Sequence, residues 1–490
     1  MERRQIIGFF LGPLAFIAAY LSPLLRGNPK AHILLSIFFF IIVWWVTECI
    51  PIPITALLIP VFITIFGITS AEKAFAPFAN PVIMLFLGSF MLAQAMSVHG
   101  LDKKFAYSIL SLKFIGRRKP RILFAFGAIT AFISMWVSNT ATTAMMLPIA
   151  VGILNTFPEE RGKGTKSIFA GSLLLLTAYA ASVGGVGTPV GSPPNLITMS
   201  MAEKLGGFRI TFFQWMVIGW IVLIPMFLAM YFYMLFKTRK VRKAAAGAQD
   251  PGTLFHEDLP KKLTRPQKNV LIAFSITVFL WIAPGIVAII LGKNSAFSLW
   301  LERNLPESVV ALIGASLLFL LPVNFNKGEF TLPLRHGLDI DWGTLLLFGG
   351  GLSMGIQMFE TGLADSIGKF FIQSGGGSAS LSLITLISIV FCIYFTEVTS
   401  NTAAANMTIP IVIAICKTAG VNPLPAILGG GIACSFAFMM PISTPPNAII
   451  YGSRLVPLPF MIKYGFWMNI FGVIIIWTVI RVIAPLLGLL

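Results

Sequence analysis

The 490 residues are 57% hydrophobic and only 11% charged, with a mean hydropathy of +0.88. Soluble domains carry about 25% charged residues, so this composition excludes a soluble protein and predicts a polytopic membrane protein. The net charge of +17 raises nucleic acid or an anionic substrate as partners. Basic loops are, however, what membrane orientation produces, so we expect lipid around the protein and no nucleic acid.

The first apolar run, residues 6–25, is longer than the core of a secretory signal, and no small-residue cleavage site follows it. It predicts a transmembrane helix within residues 1–30. The four cysteines lie in apolar segments without metal-ligand spacing, and we expect them to pack as small hydrophobic side chains: Cys49, Cys392, Cys416 and Cys434.

Further apolar segments of about 17–25 residues each predict one membrane crossing. With the first run included, the segments of the first half are 6–25, 31–50, 52–68, 80–99, a broken segment at 168–202, and 212–236. A basic stretch follows the fourth crossing: Lys103, Lys104, Lys113, Arg117, Arg118, Lys119 and Arg121. Positive residues mark the cytoplasmic side, which places this loop inside.

A polar Ser138-Asn139-Thr140 interrupts the next apolar segment. Its two arms, 122–137 and 141–156, are near the short limit for a crossing, and charged loops flank both. The arms predict a re-entrant helical hairpin over 122–156 with its tip at the polar motif. The charged loop after it is 158–166, PEERGKGTK.

The hairpin sequence occurs twice. FISMWVSNTATTAMMLPI at 132–149 aligns with YFTEVTSNTAAANMTIPI at 394–411, so that Ser400 follows Ser138 by 262 residues. A second pair follows at an offset of 252 residues, because GTPVGSPPNLI at 187–197 aligns with MMPISTPPNAI at 439–449. These paired matches indicate an internal duplication.

A basic linker at 237–268 separates the halves, and its positive charge predicts a cytoplasmic position: Lys237, Arg239, Lys240, Arg242, Lys243, Lys261, Lys262, Arg265 and Lys268. The second half then predicts crossings at 269–291, 307–323 and 342–360, a hairpin at 380–417 with arms 380–396 and 403–417, a broken segment at 424–452, and a last crossing from about 460. The predicted architecture is all-α, with about eleven crossings and two re-entrant hairpins.

This count gives the two repeats, 31–236 and 269–490, opposite orientations. Segment 80–99 runs from outside to inside, and its partner 342–360 runs from inside to outside. The N-terminus is then cytoplasmic and the C-terminus outside. Both hairpin tips point to the membrane midplane, where transporters with inverted repeats bind substrate on broken helices.

Non-helical backbone at membrane depth persists only inside protein or against an aqueous cavity. Each polar tip offers hydroxyl and amide groups, and the arm that follows begins with free N–H groups and partial positive charge, which bind carboxylates or phosphates. The same oxygens, with carbonyls freed at the breaks, suit Na⁺. Helix capping alone is the simpler role of a single Ser-Asn motif, but the duplication favours a binding site.

Few of the 18 carboxylates fall in apolar runs; Glu48 and Glu397 do so clearly. A proton antiporter or metal-cation pump is expected to carry carboxylates along its pathway, so these classes are disfavoured. We expect both residues to have a structural role, bonded to backbone. No nucleophile-base arrangement stands out in the apolar segments, which argues against an enzyme, and no cofactor is expected apart from Na⁺ as a coupling ion.

At these motifs the chain resembles the divalent anion:sodium symporter family, the di- and tricarboxylate carriers. The resemblance covers nearly the whole length, from VTECIPIPITALLIP at 46–60 through both Ser-Asn-Thr hairpins to the Ser-Pro-Pro-Asn and Thr-Pro-Pro-Asn loops. It implies a homodimer in which a transport domain carrying both hairpins moves as an elevator against a scaffold domain. It also implies residence in the cell membrane.

The resemblance further implies the ligands, position by position. The first cation site would be Ser134, Ser138, Asn139 and Gly191, and the second Thr396, Thr399, Asn401 and Ser443. The substrate carboxylates would lie between the motifs, contacted by Ser138, Asn139, Thr140, Ser192, Pro193, Ser400, Asn401, Thr402, Thr444 and Pro445.

The expected function is therefore secondary active transport of small dicarboxylates such as succinate, malate, fumarate or 2-oxoglutarate. The oxygen ligands favour Na⁺-coupled symport. The family also contains exchangers that trade one dicarboxylate for another on the same scaffold, and this alternative stays open. An inorganic-anion carrier and a static channel are the remaining alternatives.

Overall fold

The computed structural model describes residues 3–112, 115, 118–157, 167–238, 262–374 and 380–486. The charged loop 158–166, Lys113, Arg117 and most of the basic linker, 239–261, lie outside the described residues. The predicted cytoplasmic position of these loops therefore stays a prediction.

The described residues are almost entirely helical. Up to residue 238 the α-helices are α1 (Arg3–Leu21), α2 (Pro29–Thr47), α3 (Ile52–Ile65), α4 (Ala71–Phe75), α5 (Pro81–Val98), α6 (Leu101–Leu110), α7 (Lys119–Ser134), α8 (Asn139–Asn155), α9 (Ile168–Gly185), α10 (Pro193–Met201) and α11 (Phe212–Lys237).

From residue 262 they are α12 (Arg265–Leu291), α13 (Ala296–Asn304), α14 (Glu307–Leu320), α15 (Leu334–Gly337), α16 (Trp342–Glu360), α17 (Leu363–Ser374), α18 (Leu381–Thr396), α19 (Asn401–Thr418), α20 (Leu424–Ala433), α21 (Pro445–Gly452), α22 (Leu458–Thr478) and α23 (Ala484–Leu486). Short 3₁₀ turns lie at Ala76–Ala79 and Phe325–Lys327, and π-helical turns at Ala202–Gly206 and Val479–Ile483. A small antiparallel pair, β1 (Pro322–Asn324) and β2 (Glu329–Phe330), precedes α15.

Among the described residues, seven helical stretches are long and apolar enough to cross a membrane, and the bent pair α13–α14 makes an eighth. The chain is therefore a helical membrane protein. Other predicted crossings are shorter, such as the 14-residue α3, or are interrupted at a break. The count of eleven stays a prediction.

Four breaks lie where the sequence predicts them. Residues 135–138 separate α7 from α8, and 397–400 separate α18 from α19. Residues 186–192 separate α9 from α10, and 434–444 separate α20 from α21. Each of the two shorter helices, α10 and α21, begins with Pro-Pro, and proline is favoured in a first turn because its missing N–H has no intrahelical partner there.

The two halves pack on each other reciprocally. Helix α5 contacts α14 while α16 contacts α3, and α10 contacts α19 while α21 contacts α8. Gly88 and Gly350 hold equivalent places in the first exchange, and a Cβ at either would overlap a backbone carbonyl, that of Ala311 or Ala56. Small residues allow this close approach of helix backbones in membrane proteins.

The helices that precede the breaks form the centre of the molecule. Every residue from Phe169 to Gly185 in α9 is buried, and so is every residue from Pro425 to Ala433 in α20. By contrast, only 11% of the most apolar window of α12 is buried within the chain. The breaks are thus held at the protein interior, as backbone without helical hydrogen bonds requires at membrane depth.

Candidate functional site

A cavity of about 460 Å³ lies where the four breaks meet. All ten residues predicted to contact substrate line it: Ser138, Asn139, Thr140, Ser192, Pro193, Ser400, Asn401, Thr402, Thr444 and Pro445. Positions that are about 250 residues apart in the sequence therefore share one wall.

Four helices, α8, α10, α19 and α21, begin at this cavity. Ser138 and Ser400 cap α8 and α19 by accepting hydrogen bonds from the backbone nitrogens of Ala141 and Ala403, at 3.2 and 3.3 Å. The remaining free N–H groups and the helix dipoles give the wall partial positive charge. No lysine or arginine is among the described residues that line the cavity, so an anion there would be held by helix ends and side-chain donors.

The two short helices begin differently. Thr444 Oγ1 caps α21 by accepting from the Asn447 nitrogen at 3.2 Å. Ser192 forms no such cap, and its hydroxyl lies 3.1 Å from the Ser435 hydroxyl, across the two halves. A direct hydrogen bond therefore joins the two halves of the chain at the cavity wall.

Sequence reasoning missed a further part of the lining. It comprises the later part of α5, with Gln94 and Ser97, and the residues just before α16, with Asp339 and Asp341. Asp341 caps α16 by accepting from the Thr344 nitrogen at 3.0 Å. The signal available in the sequence was only that both acidic residues precede a predicted crossing, which does not indicate a cavity.

Three members of the first predicted cation set, Ser138, Asn139 and Gly191, line this cavity, and the fourth, Ser134, does not. Ser134 is fully buried and its hydroxyl is 2.6 Å from the amide of Asn139. With its nitrogen turned towards the protein, the Asn139 amide also donates to the carbonyls of Ala181 and Gly191, at 3.0 and 3.3 Å. A Cβ on Gly191 would lie 2.6, 2.8 and 3.0 Å from three carbonyl oxygens, those of Gly185, Met135 and Ser134. Glycine at this position thus lets three carbonyl oxygens come close together, where a side chain would collide with them.

The second predicted cation set has the same layout with more hydroxyl groups. Thr396 Oγ1 lies 2.7 Å from Asn401 Oδ1 and 3.1 Å from the Cys434 carbonyl. Thr399 Oγ1 is buried with no hydrogen-bond partner among the described residues, although buried polar groups are normally paired. Ser443, at the position equivalent to Gly191, donates to the Met440 carbonyl at 2.6 Å.

The two Pro-Pro-Asn loops use their asparagines identically. Asn195 Nδ2 donates to the carbonyls of Gly185 and Thr188, each at 2.8 Å. Asn447 Nδ2 donates to the carbonyls of Ala437 and Met440, at 3.0 and 3.1 Å. Each asparagine closes the break that precedes its own helix. The duplication of this asparagine is visible in the sequence, but its hydrogen bonds to the preceding break are not.

The two carboxylates in apolar runs differ. Glu397 is buried and accepts from three consecutive backbone nitrogens, those of residues 438–440, which confirms its predicted bonding to backbone. Glu48 forms an ion pair at 3.4 Å with Arg4, at the start of α1, and its side chain is about a third exposed. That charged partner was not predicted.

Paired broken helices around a polar cavity in a helical membrane protein are typical of secondary transporters. Residues 7–490 match the profile of the family described as "Sodium:sulfate symporter transmembrane region". The chain therefore belongs to this family, which confirms the resemblance to the divalent anion:sodium symporters. It is a transporter and not an enzyme.

Relatives and solved structures agree with this class. The chain is 33% identical to the sodium-dependent dicarboxylate transporter SdcS of Staphylococcus saprophyticus, over 99% of the chain and 92% of that protein. It is also 33% identical to SdcS of Staphylococcus aureus, over 98% of the chain and 92% of that protein.

In fold, the chain resembles MtrF of Neisseria gonorrhoeae, described as one of a class of antimetabolite efflux pumps, with TM-score 0.58, 12% identity and coverage of 98% and 95%. It also resembles the YdaH transporter of Alcanivorax borkumensis, with TM-score 0.56, 14% identity and coverage of 99% of each chain.

Proposed function

We propose that the protein is a Na⁺-coupled symporter of small dicarboxylates such as succinate, malate, fumarate and 2-oxoglutarate. The observation that carries this proposal is one cavity at which both Ser-Asn-Thr motifs meet, each with its asparagine bonded to a buried hydroxyl group. The SdcS relatives, which are named as sodium-dependent dicarboxylate transporters, support both Na⁺ as the coupling ion and dicarboxylates as the substrate class.

The coupling follows from the charges at the cavity. A dicarboxylate brings two negative charges to a cavity in which the helix ends offer only partial positive charge and hydrogen bonds, and which Asp339 and Asp341 also line. Cations bound through Asn139 and Asn401, which face the cavity and the buried hydroxyls at once, would supply the missing positive charge. By linkage, substrate must then raise cation affinity by the same factor.

For the movement, we propose an elevator in a homodimer, with inverted repeats at 31–236 and 269–490 that supply eleven crossings and two re-entrant hairpins. The substrate cavity includes the end of α5 and the start of α16. In the proposed topology both lie on the cytoplasmic side, so the described conformation is open to the cytoplasm. The cell membrane is the proposed location, with the N-terminus inside.

An exchanger of dicarboxylates on the same scaffold is the alternative. It would need internal substrate and no cation, whereas the buried Thr399 hydroxyl, which has no partner among the described residues, favours a site that a cation completes. An inorganic-anion carrier and a channel are separated from the proposal by the same experiment.

The test is radiolabelled succinate uptake into proteoliposomes, with and without a Na⁺ gradient and with and without internal dicarboxylate. Symport predicts uptake that needs Na⁺ and proceeds without internal substrate. Uptake that requires internal dicarboxylate and ignores Na⁺ would identify an exchanger. Sulfate uptake without succinate competition would identify an inorganic-anion carrier. Influx that follows the gradient of succinate itself and depends neither on Na⁺ nor on internal substrate would identify a channel.

A further inference from the structure

Glu397 gives the second half a buried charge that the first half lacks, because Met135 holds the equivalent position. The residue is 4% exposed. Its oxygens accept from the backbone nitrogens of Phe438, Met439 and Met440 at 2.8, 2.9 and 2.9 Å, and from Asn469 Nδ2 at 2.8 Å. All four partners are donors, the pattern of an ionised carboxylate that acts only as an acceptor.

Two short paths join this carboxylate to the second cation set. Thr396, whose hydroxyl meets Asn401, is its neighbour in the chain. On the other path, Glu397 binds the Met440 nitrogen at 2.9 Å, and the Met440 carbonyl accepts from Ser443 Oγ at 2.6 Å. The carboxylate therefore holds one side of a loop whose other side is bonded to a predicted cation ligand.

The first half builds the equivalent loop without a charge. Thr188 Oγ1 donates to the Met135 carbonyl at 2.5 Å and accepts from the Gly191 nitrogen at 3.1 Å. The Gly187 nitrogen continues the helical turn by donating to the Gly184 carbonyl at 2.8 Å. Neutral groups are thus sufficient for such a loop, and burying a charge is costly even when it is well bonded.

We propose that Glu397 is a positioning residue that makes the two cation sites unequal. Its negative charge acts through the low-dielectric interior, and its bonds fix the 438–440 loop, so that the second set, Thr396, Thr399, Asn401 and Ser443, fills at a lower Na⁺ concentration than the first. The inference rests on the proposed Na⁺ symport.

The main test is Glu397→Gln in the full-length protein, measured as the Na⁺ dependence of succinate uptake and as Na⁺-induced stabilisation of substrate-free protein in detergent. A ligand that binds only the folded state stabilises it by RT ln(1 + [L]/Kd), so the unfolding temperature begins to rise once the ligand concentration approaches Kd. We expect the half-saturating Na⁺ concentration to rise about 10-fold or more, as about 1.4 kcal/mol of lost attraction gives, while the KM for succinate at saturating Na⁺ changes little.

Two controls separate charge from packing. Glu72→Gln removes an exposed carboxylate on α4 that belongs to neither cation set and should leave the Na⁺ dependence as in the wild type. Asn469→Ala removes one donor and keeps the carboxylate, so its half-saturating Na⁺ concentration should stay within about threefold of wild type, well below the 1.4 kcal/mol that tenfold represents.

A second measurement does not depend on folding of the Glu397 variant. Plotted against the logarithm of the Na⁺ concentration, stabilisation of the wild-type protein should begin at low Na⁺ and steepen at a higher Na⁺ concentration, as each site in turn begins to fill. Thr396→Val should remove the onset at low Na⁺, and Ser134→Ala the later steepening. The reverse assignment, an unchanged Na⁺ dependence in Glu397→Gln, or an equal defect in Asn469→Ala would each overturn the inference alone. A wild-type protein insensitive to Na⁺ in both assays would overturn the proposed symport as well.

Discussion

The two broken helices place an asparagine against the same two carbonyl positions, but they close the remaining gap with different chemistry. In the first, a glycine, Gly191, lets three backbone carbonyl oxygens approach too closely for any side chain to fit. In the second, hydroxyl groups of Thr399 and Ser443 enter the equivalent region, and a carboxylate, Glu397, holds the loop. A duplicated backbone can therefore keep its geometry while the two sites acquire different ligands and a different charge.

The largest effect is expected at the asparagine of the Ser-Asn-Thr motif, which both halves share. Asn139→Ala or Asn401→Ala removes an amide that faces the cavity and the buried hydroxyl at once. A hydrogen bond to a charged group contributes roughly 1.5–3 kcal/mol, so loss of cation and carboxylate contacts together should reduce uptake by about 100-fold or more. Proteoliposome uptake measures this.

The matched control is Asn304→Ala, which changes an exposed asparagine on α13 and should transport normally. Both site variants should still purify as folded protein. If either variant takes up substrate like the wild type, its Ser-Asn-Thr motif does not belong to the site. If only one variant loses uptake, the two halves differ in function although their backbones are similar.

A second prediction uses the positions at which the halves differ most. In Gly191→Ala the added methyl meets three carbonyl oxygens at 2.6–3.0 Å, so the backbone must move, and we expect uptake to fall about 10-fold or more, the equivalent of at least ~1.4 kcal/mol. Ser443→Ala only removes a hydroxyl and should raise the half-saturating Na⁺ concentration several-fold. A larger loss in Ser443→Ala than in Gly191→Ala would contradict this account of the first site.

The smallest effect is expected at Thr399, whose equivalent in the first half is Val137. Thr399→Val removes a buried hydroxyl that has no partner among the described residues, so thermal stability should stay the same or rise by up to about 1 kcal/mol. If the hydroxyl binds a cation, the half-saturating Na⁺ concentration in uptake should nevertheless rise a few-fold. A variant less stable than wild type and unchanged in Na⁺ dependence would assign Thr399 to structure alone.

Sequence reasoning located the breaks well, because polar tips and Pro-Pro pairs have strong local preferences. The start of the first hairpin differs by three residues, since Pro120 in the first turn lets α7 begin at Lys119. The wall with Gln94 and Asp341 was not predicted, because no local pattern indicates which segments meet across a cavity. Bonding of Glu397 to backbone was predicted, but its partners in a loop 40 residues later depend on tertiary packing.

The membrane voltage acts on the charge of the Glu397 carboxylate. If the binding site crosses the membrane as proposed, this carboxylate travels with it, and the empty carrier moves a negative charge. One elementary charge across the membrane corresponds to about 2.3 kcal/mol per 100 mV. A potential that is negative inside would therefore push the unloaded site outwards, so that the cell's resting voltage itself helps to reset the transporter for the next cycle.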